Sequence, residues 1–149
     1  MPAEEKPVAV VIDIDGTVAD CHHRQHLIAG DIPNWEAFFA GSDLDPALAE
    51  GVAIANGHAQ DTIVIWLTGR PERYRQITAD WLIANGLPTA NLNMRSNDDM
   101  RPAPVFKTER LRQLSDAYDI ALIIDDDDLV VAALLEAGWP VHHAQWTTR

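Results

Sequence analysis

At 149 residues, the chain is long enough for one domain with a sizeable core, and its hydrophobic content of 47% is ordinary for a globular protein. Its net charge of −12 at pH 7 argues against non-specific binding to nucleic acid or to an anionic membrane, because phosphate contacts need clustered Lys and Arg. The single cysteine, Cys21, excludes an internal disulfide. Residues 1–6 have no signal-peptide pattern and no apolar run could span a membrane, so we expect a cytoplasmic protein.

A short apolar run begins the predicted fold. Residues 8–12 are mostly β-branched and follow Pro7, which predicts a strand buried on both faces at the centre of a parallel sheet. The strand ends in Asp13 and Asp15, and Gly16 can supply the turn that brings both carboxylates to one pocket. Two neighbouring anions need a cation or a proton between them. The alternative is a pair of solvated acids at a strand end.

The residues after this strand predict short helices. Irregular, partly helical structure is expected to about residue 41, with helices over 22–29 and 35–40. Asp45 followed by Pro46 is typical of an N-cap and the first helical residue. A longer helix is therefore predicted from this pair to about residue 56, with Gly57 as its stop.

Strands and helices alternate along the rest of the chain. Further strands are predicted at 62–67, 91–95, 120–124 and 139–143. Helices are predicted at 71–84, 104–118 and 129–137. This alternation indicates an α/β fold, in which a three-layer Rossmann-like parallel sheet carries helices on both faces and the site lies at the carboxyl ends of the strands.

Three of the predicted strands end in polar groups that would share one edge of the sheet. These groups are Asp13 and Asp15, then Thr68, Gly69 and Arg70, then Asp125 and Asp126. The acids suit a hard cation such as Mg²⁺, while the Thr68 hydroxyl, the Gly69 N–H and a helix beginning at Pro71 suit an anion. An ordinary strand-to-helix turn would explain Thr68 to Arg70 equally well. A cation site beside an anion site indicates phosphoryl chemistry.

These residues also resemble a known family. Asp13-Ile-Asp15-Gly-Thr17, Thr68-Gly-Arg70, Lys107 and Ile-Ile-Asp125-Asp126 are similar, in order, to the four motifs of the haloacid dehalogenase superfamily. The resemblance is closer to the phosphatase domain of phage-type polynucleotide kinase-phosphatases and extends from residue 8 to about 146. It includes Arg24, Arg70-Pro71-Glu72, Trp81-Leu82, Met94-Arg95, Arg101-Pro102 and the ending Gly138-Trp-Pro-Val-His-His. The chain contains no phosphate-loop motif of a kinase.

The resemblance implies a catalytic role for each motif. Asp13 would be the nucleophile that becomes an aspartyl phosphate, and Asp15 the general acid and base. A crowd of neighbouring carboxylates is expected to favour the protonated form of Asp15. Thr68 and the Gly69 N–H would hold the phosphoryl oxygens, and Lys107 would neutralise charge. By itself, Lys107 would be interpreted as a solvated helix residue.

The resemblance also implies a metal and a substrate surface. Mg²⁺ would bind Asp13, the Asp15 carbonyl oxygen and Asp126, with Asp125 behind them. The candidate substrate-binding residues, besides Gly69, are Arg24, Arg70, Arg95 and Arg101. The chain would be a single domain over 1–149, either without a cap or with a small helical flap at about 18–43.

Several features leave the substrate open. Ala103 and Asp127 replace an acidic residue and an arginine that are usual in the phage-type enzymes, which weakens the case for a polynucleotide 3′-phosphate. Trp35, Phe38 and Phe39 have helical spacing and would shield the pocket, stack on a base or, as the sequence favours, simply pack under the loop segment.

We therefore predict a Mg²⁺-dependent phosphomonoesterase acting on a phosphorylated small molecule, a nucleotide or a nucleic-acid end. One alternative is a receiver-like phosphoacceptor domain, which would also use Asp, Thr and Lys at strand ends. Another is a catalytically silent binding protein that kept the fold. The sequence does not indicate an oligomeric state.

Overall fold

A computed structural model describes residues 5–147 and places a five-stranded parallel sheet at the centre of the chain. The strands are β1 (Val8–Ile12), β2 (Ile63–Pro71), β3 (Leu92–Arg95), β4 (Asp119–Asp125) and β5 (Val141–His143). Their order in the sheet is β3-β2-β1-β4-β5, with β1 in the middle as its apolar sequence predicts. Residues 1–4, which belong to the signal-peptide prediction, lie outside the described residues.

Five α-helices accompany the sheet. They are α1 (Trp35–Ala40), α2 (Ala49–Asp61), α3 (Arg75–Ala84), α4 (Ala103–Leu114) and α5 (Asp128–Glu136). Alternate side chains of the strands build two cores: Val10 and Ile12 face α2 and α3, whereas Ala9 and Val11 face α4 and α5. The predicted three-layer fold is therefore confirmed. Among the described residues, no helix is long and apolar enough to cross a membrane.

Besides α4, which ends at Leu114 and not at the predicted residue 118, three predicted helices differ from the structure. The helix predicted from Asp45 begins only at Ala49 and continues to Asp61, so Gly57 is an exposed helical residue and not a stop. A glycine inside a helix costs only about 1 kcal/mol, which the packing of Ala55 against the sheet offsets. The segment predicted as helical over 22–29 is a 3₁₀ helix over His22–Leu27.

The third difference concerns the chain after β2. Pro71 does not begin a helix, because it still pairs with Arg95 in the sheet. A 3₁₀ turn over Glu72–Tyr74 separates it from α3. The prediction that an α-helix begins at Pro71 is therefore wrong, and the anion site predicted beside Thr68 and Gly69 stays a prediction.

A bulge at the end of β2 sets the direction of the residues that follow Thr68. Thr68 pairs with Met94 and Pro71 pairs with Arg95, so Gly69 and Arg70 are extra residues on the β2 side. Bulges of this kind redirect side chains next to functional sites. Here Gly69 lines the cavity at the sheet edge while Arg70 is completely buried behind it.

Candidate active site

The carboxyl ends of β1 and β4 meet at a buried lysine. Lys107 on α4 is 4% exposed, and its Nζ donates to Asp13 Oδ1 at 2.8 Å and to Asp125 Oδ2 at 2.6 Å. The Asp13 backbone N–H donates to the Ile124 carbonyl, which fixes the end of β1 against β4. The structure thus brings together three residues that the sequence separates by up to 112 positions (125 − 13).

A third acid completes this cluster. Asp13, Asp125 and Asp126 each place one carboxylate oxygen within 4.8 Å of the others. Gly16 makes room for Asp126, because a Cβ at Gly16 would lie 1.9 Å from Asp126 Oδ2. Gly16 also has a φ of +80°, which side chains rarely adopt, so the predicted turn requires glycine for two reasons.

The charge balance of the cluster is negative. Burial and the neighbouring Asp125 carboxylate raise the pKa of Asp13 well above its usual range, although Lys107 opposes them. Burial alone would lower the pKa of Lys107, but the carboxylates of Asp125 and Asp13 outweigh it and raise that pKa. Three acids around one ammonium leave excess negative charge, and this all-oxygen donor set fits a hard divalent cation such as Mg²⁺.

Asp15 lies in a very different setting. It accepts hydrogen bonds from Arg24 Nη2 at 2.6 Å, from Arg70 Nη2 at 2.7 Å and from Arg70 Nε at 3.1 Å. Burial would raise the pKa of Asp15, but the two guanidinium groups outweigh it and lower the pKa to about 2. The expectation that neighbouring carboxylates would protonate Asp15 is therefore wrong, because the carboxylates crowd Asp13 and the arginines surround Asp15.

Arg24 and Arg70 lie behind the cavity wall and do not reach a substrate. They are 1% and 0% exposed, and both contact Asp15. Arg24 also donates from Nε and Nη2 to the buried carboxylate of Asp45, at 2.8 and 2.6 Å. The geometry contradicts the substrate-binding assignment for these two arginines, because both are buried and their guanidinium groups bond to Asp15, Asp45, the Phe38 carbonyl and the Thr78 hydroxyl.

The role predicted for Asp45 is wrong. It was predicted to cap a helix, yet it is 6% exposed and accepts from His23 as well as from Arg24. Its backbone carbonyl accepts from the indole of Trp81. The local Asp-Pro signal carries no information about Arg24, because the two side chains meet across 21 positions of the chain.

The end of β2 carries Thr68 and Gly69, for which the sequence predicts phosphate binding. Gly69 lines the cavity, where its N–H belongs to the bulge described above. Thr68 is 1% exposed, and its hydroxyl accepts from the Arg70 N–H at 3.1 Å.

The other two candidate arginines, Arg95 and Arg101, line the cavity, but their hydrogen bonds go to the protein itself. Arg95 donates from Nε to the Gly69 carbonyl and from Nη1 to the carbonyls of Asp99 and Arg101. Arg101 pairs with Asp99 at 2.8 Å and with Glu109. Arg95 therefore fixes the 96–102 loop, and the positive charge of Arg101 is balanced by two acids. Sequence motifs gave no indication of Glu109.

The cavity above these groups has a volume of about 800 Å³. Asp13, Lys107 and Asp126 are among the residues that line it. Residues that the sequence did not place there include Arg73, Asn97 and Met100. Cys21 also lines it, but burial raises the pKa of its thiol to about 11, so it is no thiolate nucleophile at neutral pH.

The fold and site define a class of protein. An Asp-x-Asp motif after the central strand, a buried lysine and paired acids after β4 on a Rossmann-like sheet are those of a haloacid dehalogenase-type phosphatase. Comparison with known families identifies it further. Residues 7–146 match the family described as the polynucleotide kinase PNKP phosphatase domain, and the chain belongs to that family.

Solved structures support the same relationship. The chain is similar to chains in two structures of the Pnkp1/Rnl/Hen1 complex, one of them described as an RNA repair complex, with 26% identity and TM-scores of 0.75 and 0.77. Each alignment covers 95% of this chain but only 44% or 47% of the other chain, so this chain spans less than half the length of these relatives.

More distant structures share the fold alone. A class C acid phosphatase from Bacillus anthracis with tungstate bound has 18% identity and a TM-score of 0.68, over 91% of this chain and 63% of that one. A haloacid dehalogenase-like hydrolase from Streptococcus pneumoniae has 11% identity and a TM-score of 0.59, over 89% and 82%. A search of curated proteins gave no match.

Proposed function

We propose that this domain is a Mg²⁺-dependent phosphomonoesterase that forms an aspartyl phosphate on Asp13. The observation that carries the proposal is the contact of 2.8 Å between Lys107 Nζ and Asp13 Oδ1 beside Asp125 and Asp126, all of which line one cavity. Membership of the polynucleotide kinase phosphatase family supports a phosphate on a polynucleotide 3′ end or a nucleotide as the substrate.

In the first half-reaction, a carboxylate oxygen of Asp13 forms a bond to phosphorus while the bond from phosphorus to the leaving oxygen breaks. Lys107 orients that carboxylate and balances charge on the phosphoryl group. The N–H of Gly69, which lines the cavity, and the neighbouring Thr68 would hold the phosphoryl oxygens. The leaving oxygen would take its proton from Asp15, which must be in its protonated form for this step.

In the second half-reaction, Asp15 takes a proton from the water that attacks the aspartyl phosphate. The ionised form held by Arg24 and Arg70 is already suited to this step, since its pKa is lowered to about 2. For the first half-reaction, Asp15 must be protonated, and its hydrogen bonds from Arg24 and Arg70 oppose this. The bound substrate would therefore have to weaken part of these hydrogen bonds. The two arginines are thus positioning residues for Asp15.

The carboxylates of Asp13 and Asp126, with the Asp15 carbonyl, would hold Mg²⁺. Bound there, the ion would offset the negative charge of the phosphoryl oxygens. Asp125 would remain behind them, because its Oδ2 accepts from Lys107 and its Oδ1 accepts from the Asp127 N–H at 3.0 Å.

We also propose that 18–43 acts as a small helical flap of this single domain. Phe38 and Phe39 on α1 line the same cavity as Asp13. Arg24, in the 3₁₀ helix of this segment, contacts Asp15. A segment in contact with both the cavity and the acid is suited to admit substrate and exclude water.

The proposal is tested by the variant Asp13→Asn. Removing the nucleophile should lower kcat for a generic aryl phosphate by at least about a thousandfold. A phosphate-release assay over 3′-phosphorylated oligonucleotides, nucleotides and aryl phosphate measures this, with Asp116→Asn at an exposed position as the matched control. Chelation by EDTA should abolish turnover, and added Mg²⁺ should restore it.

Near wild-type activity in the Asp13 variant would overturn the assignment of the nucleophile. A phosphorylated enzyme that persists for hours without releasing phosphate would instead support the phosphoacceptor alternative.

A further inference from the structure

One wall of the catalytic cavity is aromatic and partly open to solvent. Trp35, Phe38 and Phe39 on α1 all line the cavity that holds Asp13 and Lys107. Phe38 is 5% exposed and packs as the sequence predicts, but Trp35 remains 48% exposed. Packing in the protein interior therefore explains why Phe38 is aromatic, but it does not explain an exposed tryptophan at position 35.

The exposed ring is backed by a second one. The rings of Trp35 and Phe39 are stacked, with centroids 5.9 Å apart and planes inclined by 23°. Phe39 contacts Tyr74 of the next layer at 5.4 Å between centroids. Trp35 thus belongs to a supported aromatic surface and is not an isolated surface side chain.

The aromatic surface is also fixed to the catalytic acid. The Arg24 guanidinium lies 4.2 Å from the centroid of the Phe38 ring, and its Nη1 donates to the Phe38 carbonyl at 2.9 Å. The same guanidinium donates to Asp15 at 2.6 Å. The helix that presents Trp35 is therefore anchored, through one buried arginine, to the residue that would protonate the leaving group.

The occupant of this surface must be attached to the phosphate. A cavity of about 800 Å³ is far larger than a phosphoryl group and is in the range that holds a drug-sized ligand. A flat aromatic ring is the group that such a surface binds best, and nucleobases stack on protein rings whatever their identity. Arg73 lines the same cavity beside Tyr74 and adds positive charge for a neighbouring phosphate.

We propose that Trp35, backed by Phe39, stacks on the nucleobase of the nucleoside that carries the scissile phosphate. This proposal rests on the proposed phosphatase function and makes it more specific. It predicts a preference for phosphate esters of nucleosides over esters without a ring, with little discrimination among the bases because every base has a π face.

The test compares two variants on two substrates. Trp35→Leu keeps apolar bulk but removes the ring, whereas Trp35→Phe keeps a ring. With a nucleoside 3′-monophosphate, Trp35→Leu should raise KM by about tenfold or more and Trp35→Phe much less. With glycerol 2-phosphate, which has no ring, both variants should stay within about twofold of wild type. Ile83→Ala, at an exposed apolar residue of α3, is the control.

Equal losses on both substrates would show that Trp35 is only structural, and unchanged KM for the nucleotide would also overturn the proposal. Measuring ligand binding by calorimetry separates failure of the stacking proposal from failure of the phosphatase assignment. Asp13→Asn should bind the nucleoside 3′-monophosphate about tenfold more tightly than the double variant with Trp35→Leu, even in a protein that hydrolyses nothing. Equal binding by the two would refute the stacking surface.

Discussion

Asp13 and Asp15 stand two residues apart on one turn, yet they occupy opposite electrostatic environments. Asp13 shares the Lys107 ammonium with Asp125 and lies beside Asp126, and its pKa is raised. Asp15 lies between the guanidinium groups of Arg24 and Arg70, and its pKa is lowered to about 2. The nucleophile side therefore has more carboxylates than cations, whereas on the acid side Arg24 and Arg70 are matched by the carboxylates of Asp15 and Asp45.

This difference shows that residue type does not decide the role of either aspartate. An excess of carboxylates attracts a divalent cation, whereas paired arginines hold one carboxylate in a fixed orientation. The two environments come from different parts of the chain: Lys107 belongs to α4, and Arg24 belongs to the segment after β1. Each side can therefore be perturbed separately.

The largest effect is expected on the nucleophile side, from Lys107→Met. Loss of the ammonium leaves Asp13 and Asp125 with uncompensated charge, so kcat should fall by about 100- to 1,000-fold. The free energy of unfolding should fall by about 3–5 kcal/mol in EDTA, as when one partner of a buried ion pair is removed. Phosphate release and urea denaturation measure the two changes, with exposed Lys6→Met as the control. A loss in kcat below tenfold would contradict the assigned role.

A smaller effect is expected on the acid side, from Asp45→Asn. Arg24 would lose its buried counter-ion, so its contact with Asp15 should loosen and kcat should fall by about tenfold. Since Asp45 touches neither the cavity nor Asp13, binding of substrate to the Asp13→Asn background should be unchanged. Asp43→Asn, two residues earlier and exposed, is the matched control. Equal KM and kcat in the Asp45 variant and wild type would disprove this positioning role.

The smallest effect is expected on the pH dependence of the free energy of unfolding, to which Asp13 and Asp15 contribute in opposite directions. The pKa of Asp15 is lowered to about 2, so its contribution is present above its ordinary value of about 3.9 and is lost as pH falls toward 2. The shift corresponds to about 2 kcal/mol of stability that the wild type loses on acidification, so the free energy of unfolding of Asp15→Asn should fall less steeply as the pH is lowered. The raised pKa of Asp13 acts in the other direction, so Asp13→Asn should steepen the slope.

Urea unfolding between pH 5 and pH 2 in EDTA would measure both slopes. The two variants should bracket the wild type. Parallel slopes for wild type and both variants would mean that the two carboxylates do not differ in the way described.

The sequence predicted the sheet well because each strand carries its own signal. Buried β-branched runs such as Val8–Ile12 form strands in almost any context, and polar residues at their carboxyl ends then meet at one edge. Asp45 could not be placed in this way, since its Arg24 partner lies far along the chain and an N-cap is the commoner use of an aspartate before proline. Arg24 and Arg70 were assigned to the substrate for the same reason, because nothing local reveals that a charged side chain is buried.

The position of β1 in the sheet has a consequence for synthesis on the ribosome. The central strand pairs with β2 on one side and with β4, more than 100 residues later, on the other. Until Asp119–Asp125 has been translated, the apolar β1 is an open edge, and such edges invite pairing between nascent chains. Chaperone binding to the growing chain should therefore be strongest before β4 emerges.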